Sequence, residues 1–373
     1  MRIAIDALNL KPGGGGVEWY LRHLLTALSR KSGDAEFTVF LNENPGEPFP
    51  PTRKGFDCIK VSSIGGNRLC RSFYQQTRLD KVSRSAGADV LHCGAYVCPV
   101  RHKLPIVVTA HDILAISHPE FCKPLNAFHY KMILPLCLKS AQAIVVPSTW
   151  TREQIIWRMP KLEGRIKVIS PGVAPEFTAE IKEEDVSKVL GRLGVRRPFI
   201  LFAGSLEPKK NPGAMAAAFG ILKRRHGIPH SLVIAGRINW GVDAALAALK
   251  SMGDDVRLLG PVATGDLACL YRSADLMIFP SFAEGFGIPP LEAMACGCPV
   301  VASDIPPIVE SLGDSAVLVP AAHHEAIAES AARIFSDEAF RQSLIEAGKR
   351  RASGFTWEAT AQSYLKTYRE IAR

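Results

Sequence analysis

The stretch Leu276-Met277-Ile278-Phe279-Pro280-Ser281-Phe282-Ala283-Glu284-Gly285-Phe286-Gly287-Ile288-Pro289-Pro290-Leu291-Glu292-Ala293-Met294 reads as strand, loop and helix in immediate succession. Its first four residues are apolar without alternation, as in a strand covered on both faces. Gly285 and Gly287 let the backbone approach a ligand closely. Pro289 and Pro290 suit a helix start, where a missing N–H does no harm. The N–H groups of that first turn, with the helix dipole, make an anion site suited to pyrophosphate. Two carboxylates flank it: Glu284 in the loop and Glu292, placed in the first turn. Carboxylates do not bind phosphate; they accept hydrogen bonds from hydroxyls. A ligand with phosphates between two polyols meets both demands, and a sugar nucleotide is such a ligand. The competing reading of Glu292 is a plain complement to the helix dipole.

Working outward, apolar strand-like runs alternate with helical patterns from end to end. One series is expected at Arg2–Asp6, Phe37–Asn42, Val90–His92, Ile106–Ala110 and Ala143–Val146. A second is expected at Phe199–Ala203, Ser231–Ala235, Val256–Leu259, Leu276–Phe279, Val300–Ala302 and Ala316–Leu318. Helices such as Trp19–Ser29, Thr151–Trp157 and Ala214–Arg225 intervene. The alternation predicts an α/β chain with a doubly wound parallel sheet, present twice. Pro and Gly concentrate at Ser170–Pro175, and a charged helix, Lys182–Leu193, follows. The domains are therefore expected at 1–170 and 171–355, with a final amphipathic helix within 356–373.

At 373 residues the chain is too long for one ordinary core. With 47% hydrophobic and 22% charged residues it is an ordinary globular chain, which excludes disordered and fibrous classes. No apolar run approaches the roughly 20 residues that cross a bilayer. Met1–Asp6 reads as a strand rather than a signal peptide, so a cytoplasmic location is expected. Nine scattered cysteines suit buried free thiols. Cys296 and Cys298 lack a matching His or Cys pair and read as packing rather than metal ligands. The net charge of +9 is uneven: residues 1–168 hold 23 Lys and Arg against 13 Asp and Glu. A basic N-terminal half suits an anionic lipid surface, a pyrophosphate carrier or nucleic acid; a merely soluble basic surface is the alternative. Few aromatics and no base-stacking pattern argue against nucleic acid.

Other residues carry chemistry in the same frame. Gly204-Ser205-Leu206-Glu207-Pro208-Lys209-Lys210-Asn211 follows a strand and precedes a helix. A cation fixed there, Lys210, would stabilise charge on a departing diphosphate. Its plainer reading is a solvated surface Lys. With no D-x-D motif near these elements, no catalytic metal is expected. His111 ends an apolar strand, where open α/β sheets place ligands. It suits a sugar hydroxyl or positive charge developing on a ring, against a core histidine bonded to backbone. Asp112 suits capping or acceptor binding equally. Gly13–Gly16 places N–H groups before the helix at Trp19, without the G-x-G-x-x-G spacing. In Asn67–Ala86, Arg68, Arg71, Arg78 and Lys81 fall on one helical face, either a membrane-surface helix or a solvated basic face.

The run E-G-F-G-I-P-P-L-E-A-M-A-C-G-C-P-V-V-A from Glu284, with its Glu284-x7-Glu292 spacing, resembles the signature of retaining GT-B glycosyltransferases of glycosyltransferase family four. Gly15-Gly16-Val17-Glu18, Val108–Asp112, Gly204–Asn211 and Phe355-Thr356-Trp357-Glu358 resemble further segments of that family, so the likeness spans nearly the whole chain. It implies two Rossmann-like domains facing a central cleft, the first binding acceptor and the second donor, with the final helix packing back on the first. Glu292 would bind the ribose hydroxyls and Glu284 the donor-sugar hydroxyls. The backbone of Phe286, Gly287 and Ile288 would lie near sugar and pyrophosphate. Lys210 would steady the leaving diphosphate beside Lys209, where the family often has Arg; many members carry Arg where Ser205 stands. Arg237, Gly15 and Gly16 complete the donor-site candidates, and His111, Glu284 and Lys210 are the catalytic ones.

The reaction implied is metal-independent, cofactor-free transfer with retention, by front-face attack assisted by the leaving phosphate. Its acceptor is a glycan or a polyprenyl-diphosphate-linked glycan. The stretches G-S-L-E-P-K-K-N and H-P-E-F look most like the mannosyltransferase branch acting in bacterial polysaccharide assembly, which implies GDP-mannose as donor. Location on the inner face of the cytoplasmic membrane goes with that reading. Rival readings are a GT-B sugar-nucleotide epimerase or phosphorylase, and a non-catalytic carbohydrate- or nucleic-acid-binding protein.

Overall fold

The computed structural model describes residues 1–13, 15–31, 33–46, 54–62 and 68–372. Gly14 and Asn67, which belong to the glycine run and the basic segment above, lie outside the described residues. The chain divides into two compact units. Met1–Gly172 and Trp357–Arg373 form unit 1, and Val173–Thr356 form unit 2.

Unit 1 is built on strands β1 (Arg2–Ala7), β2 (Glu36–Asn42), β3 (Phe56–Val61), β4 (Val90–Cys93), β5 (Ile106–Thr109), β6 (Ala143–Val146) and β7 (Ile166–Val168). All pair in parallel, in the order β3-β2-β1-β4-β5-β6-β7. Central strands such as β5, Ile106-Val107-Val108-Thr109, are buried along their whole length, the reason for their unbroken apolar runs. The two edge strands escape the periodicity reading. β3 buries only its end residues, Phe56 and Val61, and β7 has three residues. The strand order reverses between β1 and β4, which places a ligand-binding crevice at their carboxyl ends.

Unit 2 repeats the plan with β8 (Phe199–Ala203), β9 (Ser231–Ala235), β10 (Val256–Gly260), β11 (Leu276–Phe279), β12 (Val300–Ser303) and β13 (Val317–Val319). Their order is β10-β9-β8-β11-β12-β13, again all parallel, with the reversal between β8 and β11. The helix Pro212–His226 packs Met215, Phe219 and Leu222 on Phe202, Ile234 and Ile278 of the sheet. It starts at Asn211, whose side chain accepts from the Ala214 N–H at 3.2 Å, and stops at Gly227 in the left-handed conformation.

The final helix, Trp357–Ile371, belongs to the core of unit 1. Trp357, Tyr364, Leu365 and Tyr368 are buried among Ile3, Leu24 and Val107. Its two tyrosines enter a buried chain of hydrogen bonds. Tyr368 OH meets His92 Nδ1 at 2.7 Å, and His92 Nε2 meets Thr109 Oγ1 at 2.9 Å. Thr109 Oγ1 meets Tyr364 OH, and Tyr364 OH meets Tyr20 OH, both at 2.8 Å. Such polar groups are tolerated inside because each has a partner. Burial holds the His92 imidazole neutral, its pKa lowered to about 3.

Two local expectations need correction. The N-terminal glycine loop opens a helix at Gly16, not Trp19, and that helix runs to Lys31. The basic segment is not one helix. It breaks at Arg78 between Arg68–Thr77 and Leu79–Ser85, so Arg68, Arg71, Arg78 and Lys81 do not belong to a single helix. Burial of Leu79 and Ser83 beside the break sets the second helix apart, while Arg71 is half-buried near Asp6. Among the described residues no helix is long and apolar enough to cross a membrane.

Candidate functional site

In unit 2 the loops after β8 and β11 meet at the point where the strand order reverses. Gly204 follows β8 with φ 141°, and Gly236 follows β9 with φ 157°. A Cβ on Gly236 would lie 1.9 Å from the Gly204 carbonyl oxygen, so only glycine permits this approach. The β8 loop is pinned to the β11 loop by the Phe282 N–H, which donates to the Lys209 carbonyl at 2.7 Å.

That juxtaposition brings together two residues 74 positions apart. Lys210 Nζ donates to Glu284 Oε1 at 2.5 Å, with about a tenth of each side chain exposed. Lys210 also lies over the Phe279 ring, 4.5 Å from its centroid. It is therefore a buried, paired cation, and the solvated-surface reading is excluded. Burial pulls the Lys210 ammonium down against the opposing pull of Glu284. Burial also works against ionisation of Glu284, but Lys210, Lys209 and the hydrogen bond from Lys210 outweigh it and hold the carboxyl below its usual range. The carboxylate of Glu284 is thereby favoured in its ionised form. Lys209 is more exposed and lies 3.6 Å from Glu207.

Glu292 has a different setting. The helix runs Ile288–Ala295 with Gly287 as its N-cap, so Glu292 is its fifth residue and lies past the first turn, contrary to the placement expected from sequence. The dipole falls off beyond that turn, which removes the plain dipole-complement reading. Glu292 is 4% exposed and accepts a hydrogen bond from Tyr271 OH at 3.3 Å. Burial pushes its pKa up to about 8, against the lowering effect of Tyr271; Glu176 adds to the rise. Gly287 has φ 100°, and a Cβ there would strike Ile308 Cδ1 at 2.3 Å. Phe286 is buried with its ring 5.6 Å from that of Phe355, and Ile288 is the first helical residue. Ser205 is half-buried in the β8 loop. Arg237 is exposed past β9, its carbonyl accepting from the Leu206 N–H at 2.8 Å.

In unit 1, Gly15 and Gly16 are exposed at the carboxyl end of β1, Gly15 with φ 81°. His111 follows β5. Its Nε2 donates to the Gly94 carbonyl, just past β4, at 3.0 Å. The carbonyl only accepts, so the proton sits on Nε2 and the lone pair on Nδ1. The rings of Tyr20 and Tyr96 meet the imidazole edge-on at 4.7 and 5.5 Å. Burial depresses the His111 pKa, partly offset by the Gly94 bond and by Asp112, and favours the neutral ring. Asp112 Oδ1 accepts from the Leu114 N–H at 3.1 Å, two residues on, while the N-cap of the helix Leu114–Ser117 is Ile113.

Sequence reasoning missed Tyr271, Gly236 and Gly94. Nothing in local spacing ties Tyr271 to Glu292. Gly236 follows the strand β9 much as Gly204 follows β8, and that parallel was the available signal. Among the described residues no group of three or more His, Cys, Asp or Glu side chains could hold a metal ion.

Residues 14–177 match the family model described as Glycosyltransferase Family 4, and residues 188–351 match the one described as Glycosyl transferases group 1. The chain is 33% identical over 328 residues to a D-inositol 3-phosphate glycosyltransferase of Kribbella flavida, covering 81% of this chain and 76% of the relative. Over 272 residues it is 28% identical to O-antigen chain mannosyltransferase B of Escherichia coli, covering 72% and 71%. Its fold is similar to that of Anabaena HepE, solved in complex with UDP-glucose, with a TM-score of 0.75 at 20% identity and the whole of both chains covered. Matched through both units, and a third identical across most of a relative, the chain belongs to glycosyltransferase family four and is a glycosyltransferase of the GT-B fold.

Proposed function

We propose that the chain transfers mannose, with retention, from GDP-mannose to a glycan or polyprenyl-diphosphate-linked glycan in bacterial polysaccharide assembly. One observation carries the donor half of this reading: the buried Lys210–Glu284 pair at the strand-order reversal of unit 2. An ammonium has three N–H groups, and Glu284 takes one; two remain to meet diphosphate oxygens. Glu284 Oε2 suits donor-sugar hydroxyls. The N-terminal turn at Ile288 adds N–H groups and dipole for the diphosphate, and Glu292 suits the ribose hydroxyls. Charge developing on the leaving group would then meet a fixed cation in a poorly hydrated setting, where it is most effective. Lys210 and the helix start supply this charge without a divalent metal. His111, neutral with Nδ1 as acceptor, suits a hydroxyl of the transferred sugar.

Mannose is favoured by the likeness to the O-antigen chain mannosyltransferase. A UDP-sugar donor is the second reading, favoured by the likeness to HepE with its UDP-glucose. Thermal-shift titration with GDP, UDP and ADP separates them, because a ligand of the native state raises its melting temperature. Stabilisation by GDP, and transfer from GDP-mannose rather than UDP-glucose, is the expected result. Stabilisation by UDP alone overturns the mannose assignment. Donor conversion without acceptor would point instead to an epimerase.

A further inference from the structure

The helix Pro124–Ser140 of unit 1 has an apolar outer face. Leu125, Phe128, Met132 and Leu136 are 79%, 68%, 61% and 48% exposed, and their offsets of 3, 4 and 4 place them in one stripe. The helix Arg68–Thr77 lies beside it. Arg68 donates to Asn126, and Ser72 Oγ lies 3.5 Å from His129 Nε2. It adds Phe73, 70% exposed. Exposed large side chains gathered on neighbouring helices mark an interaction surface.

Charge identifies the partner. Neither helix contains an Asp or Glu, while Arg68, Arg71, Lys131 and Lys139 are all cationic. Lys139 stands one turn beyond Leu136 in line with the stripe, and Lys131 flanks it; both are exposed. A second copy of this chain is a poor occupant, since a two-fold interface sets one cationic face, without Asp or Glu on either helix, against another. An apolar stripe edged by cations matches a surface that is apolar inside and anionic outside. We propose that unit 1 docks on an anionic bilayer through this face, with the helix Pro124–Ser140 lying in the plane of the interface. This goes beyond the transfer reaction; it keeps Arg68 and Arg71 of the basic face expected from sequence, leaves out Arg78 and Lys81, and centres on the helix Pro124–Ser140 instead.

Flotation of the full chain with vesicles tests it. The protein is expected to float with vesicles of phosphatidylcholine and phosphatidylglycerol, to float poorly with phosphatidylcholine alone, and to detach as salt rises. The exposed double variants Phe128→Ser, Met132→Ser and Lys131→Glu, Lys139→Glu should each lose about tenfold or more in partition. The variant Arg78→Glu, Lys81→Glu carries the same charge change at the start of the nearby helix Leu79–Ser85 and should lose clearly less. All three should keep the nucleotide-induced melting shift, which separates failure of this proposal from failure of the donor reading. Four results overturn it: no flotation, equal flotation on both vesicles, equal losses in the two charge variants, or a solution dimer that dissociates in the Phe128, Met132 variant.

Discussion

Glu284 and Glu292 stand in one motif, on either side of a helix start, and live in opposite electrostatic worlds. Glu284 faces Lys210 at 2.5 Å and is held ionised. Glu292 faces Tyr271, a neutral donor, and burial lifts its pKa to about 8. The first carboxylate has its counter-ion built in. The second lacks one among its hydrogen-bond partners and gains most from a ligand that donates hydrogen bonds to it. The same residue type thus sits in a fixed charge pair at one place and, in the proposed reading, serves as a proton-linked receptor for hydroxyls at another.

Removing the built-in counter-ion should produce the largest effect. Lys210→Ala leaves a buried carboxylate uncompensated and should destabilise unit 2 by about 3–5 kcal/mol. Turnover should collapse with it. Lys210→Ala with Glu284→Ala should recover part of the stability in a denaturant titration. If the single variant unfolds at the wild-type midpoint, the pair is not the fixed unit described.

His111 sharpens the contrast, being a titratable group whose Nε2 partner is a backbone carbonyl. His111→Ala should lower turnover on the order of a hundredfold, the scale of a positioned polar group. Nucleoside diphosphate affinity should hardly change if, as proposed, the group acts on the transferred sugar. Near-normal turnover in a folded variant would make His111 a structural residue only.

Glu292 gives a smaller effect with a distinctive sign. Glu292→Ala should weaken nucleotide binding by about 1–3 kcal/mol in calorimetry. Its folded pKa lies above the ordinary 4.5, so the folded state holds more protons than the unfolded one between there and about pH 8. Its contribution to stability is complete below that window and is lost as pH rises through it. Glu292→Gln removes the loss and should raise the melting temperature of the unliganded protein near pH 8. Hydroxyls favour the ionised carboxylate, so nucleotide affinity should climb towards pH 8 and level off above it. A pH profile identical in wild type and Glu292→Gln would break the comparison.

The smallest expected effect is none. Transfer should persist in excess chelator, because Lys210 and the turn at Ile288 carry the charge in this reading. Complete loss with EDTA, restored by magnesium or manganese, would show that the leaving group is handled otherwise.

Legibility in the sequence followed burial. Strands covered on both faces, such as Val107 within β5 and Ile278 within β11, declare themselves as apolar runs. β3 was silent because its middle residues face solvent. The helix break at Arg78 was silent because each half satisfies helical spacing alone. In the candidate site, the strand–glycine–helix stretches were readable because backbone geometry restricts their residue types. The pairing of Lys210 with Glu284 was not, since contact across 74 residues depends on which strands become neighbours. Tyr271 beneath Glu292 was hidden for the same reason.

The closing helix also sets an order of events during synthesis. Trp357, Tyr364 and Tyr368 complete a core that otherwise draws on the first 172 residues. A ribosome releases the whole of Val173–Thr356 before it supplies them. Domains ordinarily form as they emerge, the first-made first. Here the unit begun earlier is the later to be finished, and until the helix Trp357–Ile371 emerges the nascent chain carries an open seam along Leu24 and Val107. A chain cut short at Thr356 would retain every donor-site candidate of unit 2 and still leave unit 1 incomplete.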